Sequence, residues 1–172
     1  MASIARSLRP AASRLTVSSR ANTLSWRPSS FASRAFSASP AVFAKKYTKD
    51  HEWVELSEDK KTATIGISDY AAHALGDVVY VELPTAPLEV GAGDSIGAVE
   101  SVKSASDINS PISCTITSVN SLLEETPGTI NKGPEDDSSA GGWVAKVEVG
   151  EVGIKDLDDL MDAAAYKKFT EE

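Results

Sequence analysis

The stretch Gly97-Ala98-Val99-Glu100-Ser101-Val102-Lys103-Ser104-Ala105-Ser106-Asp107 reads as a strand, a tight turn carrying a lysine, and the start of a returning strand. Apolar Ile96, Ala98, Val99 and Val102 precede the lysine, and Ile108, Ile112 and Ile116 follow it. The residues between Lys103 and Asp107 are small and polar, as a turn and its exit require. A lysine at a hairpin tip stands in water on a rigid support, where an enzyme can reach its amine and attach a group. Most lysines are simply solvated surface residues, so the hairpin alone leaves that reading open.

Outward from the hairpin the signals are those of short strands separated by turns. Asp77–Leu83 is the strongest strand pattern in the chain, stopped by Pro84 and Pro87. Leu88–Asp94, with Gly91 and Gly93, reads as a loop. Ser68 reads as the N-cap of a short helix that runs to Leu75, with Asp69 in its first turn and Gly76 just past its end. Tyr47–Leu56 and Thr62–Ile67 read as strands joined by the polar turn Ser57–Lys61, with Gly66 as the place for a bend.

Downstream, Ser110-Pro111 opens a strand over Ile112–Val119, and Asn120–Glu125 is a turn or one helical turn. A long connection through Pro127, Pro134 and Gly142 leads to a last strand, Trp143–Val149. From Asp156 the pattern is helical: Leu157, Leu160, Met161, Ala164, Ala165 and Phe169 recur at helical spacing, and Lys167 and Lys168 complement the C-terminal end. The expected fold is mostly β, a small sandwich with short helices and a C-terminal helix.

The net charge of −8 conceals an asymmetry. All six arginines lie at or before Arg34, and no acid precedes Asp50; beyond Arg34, 11 lysines stand against 25 acids, a net −14. Such a body repels nucleic acid and anionic membranes and suits basic partners. The single cysteine, Cys114, excludes an internal disulfide framework, and His51 and His73, far apart and without nearby cysteines, argue against zinc. No apolar run approaches the ~20 residues that cross a bilayer. No nucleophile–base pair or metal cluster emerges, so a free-standing enzyme is not expected.

Residues 1–43, rich in Arg, Ser and Ala and free of acids, have the composition of a mitochondrial transit peptide. A disordered basic tail is the alternative. Arg34-Ala35-Phe36-Ser37-Ala38-Ser39 resembles a matrix processing site. Cleavage near Phe36, or after Ala35 with octapeptide removal ending at Phe43, both remain open. Either leaves a folded body over 45–172 and implies a mitochondrial matrix location.

Several pieces occur in one order and spacing: Tyr47-Thr48-Lys49 with His51-Glu52-Trp53, Thr64-Ile65-Gly66-Ile67 with Asp69-Tyr70-Ala71, and Leu75-Gly76 through Leu83-Pro84. Gly97 through Lys103, Ser106 through Pro111, Val119-Asn120, Pro127, Ile130-Asn131 and Gly142-Trp143 follow. Together they closely resemble the H-protein family of the glycine cleavage system. The resemblance implies a flattened, barrel-like sandwich of two antiparallel sheets, related to lipoyl and biotinyl domains. It implies lipoate in amide linkage on Lys103. The arm would visit a pyridoxal-phosphate glycine decarboxylase (P-protein), an aminomethyltransferase (T-protein) and a dihydrolipoyl dehydrogenase (L-protein), with the carrier itself catalysing none of their steps. In some members of the family the carrier also passes lipoyl groups to other acceptors.

On that reading Glu100 is an exposed handle for the lipoylating enzyme. Glu52, Asp107 and, third, Asp50 are candidates to hold the cationic cargo of a folded-back arm out of water. Their alternative is solvated surface acid. Two departures stand out. Cys114 replaces the customary glycine eleven residues after the lysine, which costs ~1 kcal/mol or more if that position requires a positive φ. The segment 134–142 is longer than usual and lacks an aromatic after its proline. Competing carriers fit less well: biotin domains flank their lysine with methionines, where this chain has Val102 and Ser104, and 2-oxoacid dehydrogenase lipoyl domains usually place an acid just before it. An unmodified, acidic interaction protein is the reading from another class.

Overall fold

The computed structural model describes residues 44–171; the expected transit peptide and its processing sites lie outside them. The chain runs through β1 (Lys46–Tyr47), β2 (Glu52–Leu56), β3 (Thr62–Ile67), α1 (Asp69–Leu75) and β4 (Val78–Glu82). Next come β5 (Leu88–Val90), β6 (Ser95–Ser101), β7 (Ala105–Asn109) and β8 (Cys114–Val119). The short helices α2 (Leu122–Glu125) and α3 (Thr129–Lys132) precede β9 (Ala145–Val149). α4 (Glu151–Asp156), a 3-10 turn at Leu157–Asp159, β10 (Met161–Asp162) and α5 (Ala163–Glu171) complete it.

These strands form two antiparallel sheets. One has seven strands in the order β10-β1-β2-β3-β9-β8-β5, and the other has three in the order β4-β6-β7. The expected two-sheet architecture is present, but the sheets do not close into a barrel. Ile65, Val81, Val99, Ile108, Ile116 and Val147 meet in one core and are at most 1% exposed. Each such burial contributes about 1.5–3 kcal/mol. The strands' alternation makes this possible: in β9, Ala145 and Val147 face inward while Lys146 and Glu148 face water.

α1 forms as its sequence dictates. The Ser68 hydroxyl accepts the Ala71 N–H at 3.2 Å, and Gly76, at φ +78°, closes the helix by donating to the Ala72 carbonyl at 3.2 Å. Gly66 has a different reason from a bend. It lies across from Trp53, and a Cβ there would stand 3.0 Å from the indole nitrogen. It makes room for the ring.

Four readings are corrected. Leu88–Val90 is a strand, because its pairing with Ile116–Cys114 outweighs the flanking proline and glycine. The expected strand from Ile112 begins at Cys114, since Ser110–Ser113 bends: the Ser110 hydroxyl donates to the Ile112 carbonyl at 2.7 Å, and Ser113 N–H donates to Asp156 Oδ2 at 2.8 Å. The last strand likewise begins at Ala145 rather than Trp143. The single terminal helix is two helices separated by β10. Leu160 is extended (φ −86°, ψ 150°), and Met161–Asp162 pairs with Tyr47–Lys46. Leu157 and Leu160 pack on the main core, whereas Ala164, Ala165 and Phe169 are exposed. Positive φ among the described non-glycine residues is confined to His51 and Lys60, so Cys114 carries no such strain. It is buried, and burial raises its thiol pKa.

A second cluster joins the ends of the body. Tyr47 and Tyr166 stack with ring centroids 4.3 Å apart, beside buried Trp53 and Trp143. The Tyr166 hydroxyl lies 2.7 Å from Ser68 Oγ and 2.8 Å from His51 Nδ1. The Tyr47 hydroxyl donates to Glu135 at 2.7 Å, and Glu135 also accepts the Asp69 N–H at 3.1 Å. The 134–142 segment is thus tied down at its start, with the Pro134 carbonyl accepting the Trp53 indole N–H at 3.0 Å.

Burial first, and then the Glu135 carboxylate, push the Tyr47 phenol well above its ordinary value of 10, and burial raises Tyr166 as well. The unfolded chain then loses phenolic protons above pH 10 that the folded chain keeps, so stability falls as pH rises through that region. Thermal unfolding should shift downward between pH 9 and pH 11, and less steeply in Tyr47→Phe. Parallel slopes in the two proteins would reject the assignment.

Candidate functional site

The hairpin that carries Lys103 joins β6 to β7 within the smaller sheet. Its last cross-strand pair is Glu100 with Ala105. Beyond it the turn is organised by Ser101. The Ser101 N–H donates to the Ser104 carbonyl at 2.8 Å, and the Ser101 hydroxyl accepts the Lys103 and Ser104 N–H groups at 3.1 and 3.0 Å. A serine that bonds its own turn in this way fixes the tip without bulk. The sequence held the signal, a serine opening a turn of small residues, but it did not single out Ser101.

Lys103 is exposed and forms no salt bridge among the described residues, where the ion pairs are Lys45–Glu55 and Lys167–Glu171. Its stem lies over Gly76: Nζ is 3.3 Å from where a Cβ on that glycine would stand. Gly76 thus serves both the positive φ that ends α1 and the passage of the lysine. Lys103 lines a hollow of about 410 Å³ with Asp69, Ala72, His73, Gly76, Asp77 and Asn131. His73 is a surface residue, as expected. The tip is braced from behind by the Val102 N–H, which donates to the Asp77 carbonyl at 3.2 Å.

Glu100 is exposed, opposite Tyr80 on one side and Ala105 on the other. Val79, Tyr80 and Val102, at 53%, 52% and 68% exposure, are exposed apolar residues of β4 and the hairpin.

The three candidate cargo-holding acids differ. Glu52 is not a solvated surface acid: it is 2% exposed. One oxygen accepts the Asn109 N–H at 3.0 Å, the other accepts the Thr48 hydroxyl, and Thr48 Oγ1 in turn accepts the Glu52 N–H at 3.0 Å. Glu52 therefore links β2 of the large sheet to the end of β7 in the small one. It forms no ion pair among the described residues. Asp107 is exposed on β7, two residues before Asn109, and lines a separate hollow with Glu82, Pro84 and Ser95 that Glu52 does not reach. Asp50 is exposed in the turn before β2. The structure thus brings Glu52 to the strand that carries Asp107 but does not gather all three acids in one hollow. No cluster of three or more metal-ligating side chains occurs among the described residues, and no helix there is long and apolar enough to cross a membrane.

A two-sheet sandwich that presents an exposed lysine on a hairpin tip, with no salt bridge among the described residues, has the geometry expected of a carrier domain. Comparison with known proteins places the chain further. The family model described as glycine cleavage H-protein matches residues 45–172. The glycine cleavage system H protein of Teredinibacter turnerae is 49% identical over 127 residues, covering 74% of this chain and 92% of that protein. The mitochondrial glycine cleavage system H protein 2 of Arabidopsis thaliana is 48% identical over 143 residues, covering 83% and 86%. The crystal structure of a glycine cleavage system H protein from Mycobacterium marinum superposes with a TM-score of 0.62 at 34% identity, covering 75% of this chain and 98% of that one. The chain belongs to the glycine cleavage H-protein family.

Proposed function

We propose that Lys103 is the residue that carries lipoate in this protein, in amide linkage, and that the folded body serves to present it. The protein is the lipoyl-carrying shuttle component of glycine cleavage, as its family membership gives. The lipoyl group, when attached, takes the aminomethyl group of glycine from the P-protein to the T-protein and is reoxidised by the L-protein. The observation that carries the assignment is the exposed lysine of the Gly97–Lys103 stretch, on a turn fixed by Ser101 and with no salt bridge to break before acylation.

The chain's own residues bind, orient and shield; they catalyse none of these steps. Ser101 and the Asp77 carbonyl hold the tip. Glu100, beside it, is the handle for the lipoylating enzymes. Glu52 is a buried carboxylate held by two neutral donors, and an ammonium at the end of the arm supplies the missing opposite charge. Asp107 and Asp50 add exposed negative charge nearby. The net −14 beyond Arg34 favours brief, salt-sensitive docking of P-, T- and L-proteins through basic faces.

Residues 1–43 act as a transit peptide, and the body works in the mitochondrial matrix; mitochondrial relatives in Arabidopsis and Saccharomyces cerevisiae support this. Intact and peptide mass of the endogenous mature protein tests both readings. A lipoyl increment on the Lys103 peptide and an N-terminus between about residues 37 and 45 are expected. An unmodified Lys103 in cells whose other lipoyl proteins are modified would overturn the carrier assignment.

A further inference from the structure

Asn131 is exposed on α3, where water could satisfy its amide, yet its side-chain bonds all go to one stretch of chain. Nδ2 donates to the Gly76 carbonyl at 2.7 Å and, at 3.5 Å, to the Ala72 carbonyl. Oδ1 accepts the Val78 N–H at 2.9 Å. The amide therefore clamps both ends of the three-residue strap Gly76-Asp77-Val78. From the middle of that strap the Asp77 carbonyl accepts the Val102 N–H, one residue before Lys103, and the lysine stem passes over Gly76 at its start. Asn131 also lines the hollow that holds the lysine.

The bonds of Ser101 fix the shape of the turn but not its bearing on the rest of the body; the strap fixes the bearing. We infer that Asn131 is a positioning residue for the modified lysine, acting through the Gly76–Val78 strap on the hairpin tip. The inference rests on Lys103 being the lipoylated residue. Asn131 lies outside both sheets and outside the core, so its loss loosens the tip while leaving the sandwich intact. An enzyme that must bind the tip in one orientation then meets a smaller competent fraction, which raises the apparent KM and leaves the turnover of bound protein unchanged.

The test uses the full chain as wild type, Asn131→Ala and Asn131→Asp. Aspartate keeps the size and the acceptor for the Val78 N–H but sets an oxygen against the Gly76 carbonyl, and it serves where the alanine variant folds poorly. Lipoyl transfer by a lipoylating enzyme is followed by intact mass, with amide hydrogen exchange alongside. The expected result is a KM for the acceptor protein raised about fivefold with kcat within about twofold, from the loss of three surface hydrogen bonds. The Val102 amide, which donates to the Asp77 carbonyl of the strap, should exchange faster while Val99 and Ile108 stay protected. Unchanged KM in both variants, or protection lost evenly along β6 and β7, overturns the inference alone. A wild-type chain that accepts no lipoyl group at Lys103 overturns the carrier assignment instead.

Discussion

Arginine in place of Lys103 is expected to abolish lipoylation. The guanidinium keeps the positive charge and a long stem, but it stays protonated throughout the physiological range and offers no free amine for acylation. Lysine at this position is exposed and makes no ion pair among the described residues, and arginine keeps a long stem to lie over Gly76, so the exchange should cost the fold little. The expected pair of results is therefore sharp. The lipoyl mass increment should disappear, and glycine cleavage reconstituted with P-, T- and L-proteins should fall to the rate without carrier, while the free energy of unfolding in urea stays within about 0.5 kcal/mol of wild type. Full turnover in Lys103→Arg would place the attachment elsewhere.

Glu52→Gln is expected to speed the loss of the one-carbon cargo to water. Glutamine retains the carbonyl oxygen that accepts the Asn109 N–H, and its amide can donate to the Thr48 hydroxyl, so the link between the sheets survives. What is lost is the charge. Hydrogen bonds to charged groups contribute about 1.5–3 kcal/mol, so hydrolysis of the loaded protein should accelerate by about tenfold or more. Asp107→Asn should change it by about two- to threefold, because that acid is exposed and screened, and Asp50→Asn by less. Cargo release timed in the absence of T-protein decides the matter. A wild-type rate in Glu52→Gln would reduce Glu52 to a structural link.

The hairpin was legible because everything that shapes it is local. Strand, small polar turn and returning strand lie within a dozen residues, and the Ser68 cap and Gly76 stop of α1 are equally short-range. The misread elements are those settled by distant partners. Leu160 and Met161 keep helical spacing, but pairing of Met161 with Tyr47 draws the chain into an extended form that local propensity cannot foresee. Leu88–Val90 becomes a strand only when Ile116 is beside it. The burial of Glu52 depends on Asn109, 57 residues away. Likewise the clamp at Asn131 joins α3 to Gly76 across 55 residues, and nothing near either residue announces it.

The pairing of β1 with β10, and the stacking of Tyr47 on Tyr166, have a consequence for assembly. The first strand of the body finds its outer neighbour only in the last dozen residues of the chain. A nascent polypeptide lacks that neighbour, which leaves one edge of β1 without its ladder and one ring of the stack exposed. Until those residues join, β1 rather than β10 is the edge of the large sheet. A chain truncated before Met161 should leave β1 as the open edge of the large sheet and be cut there more readily by proteases.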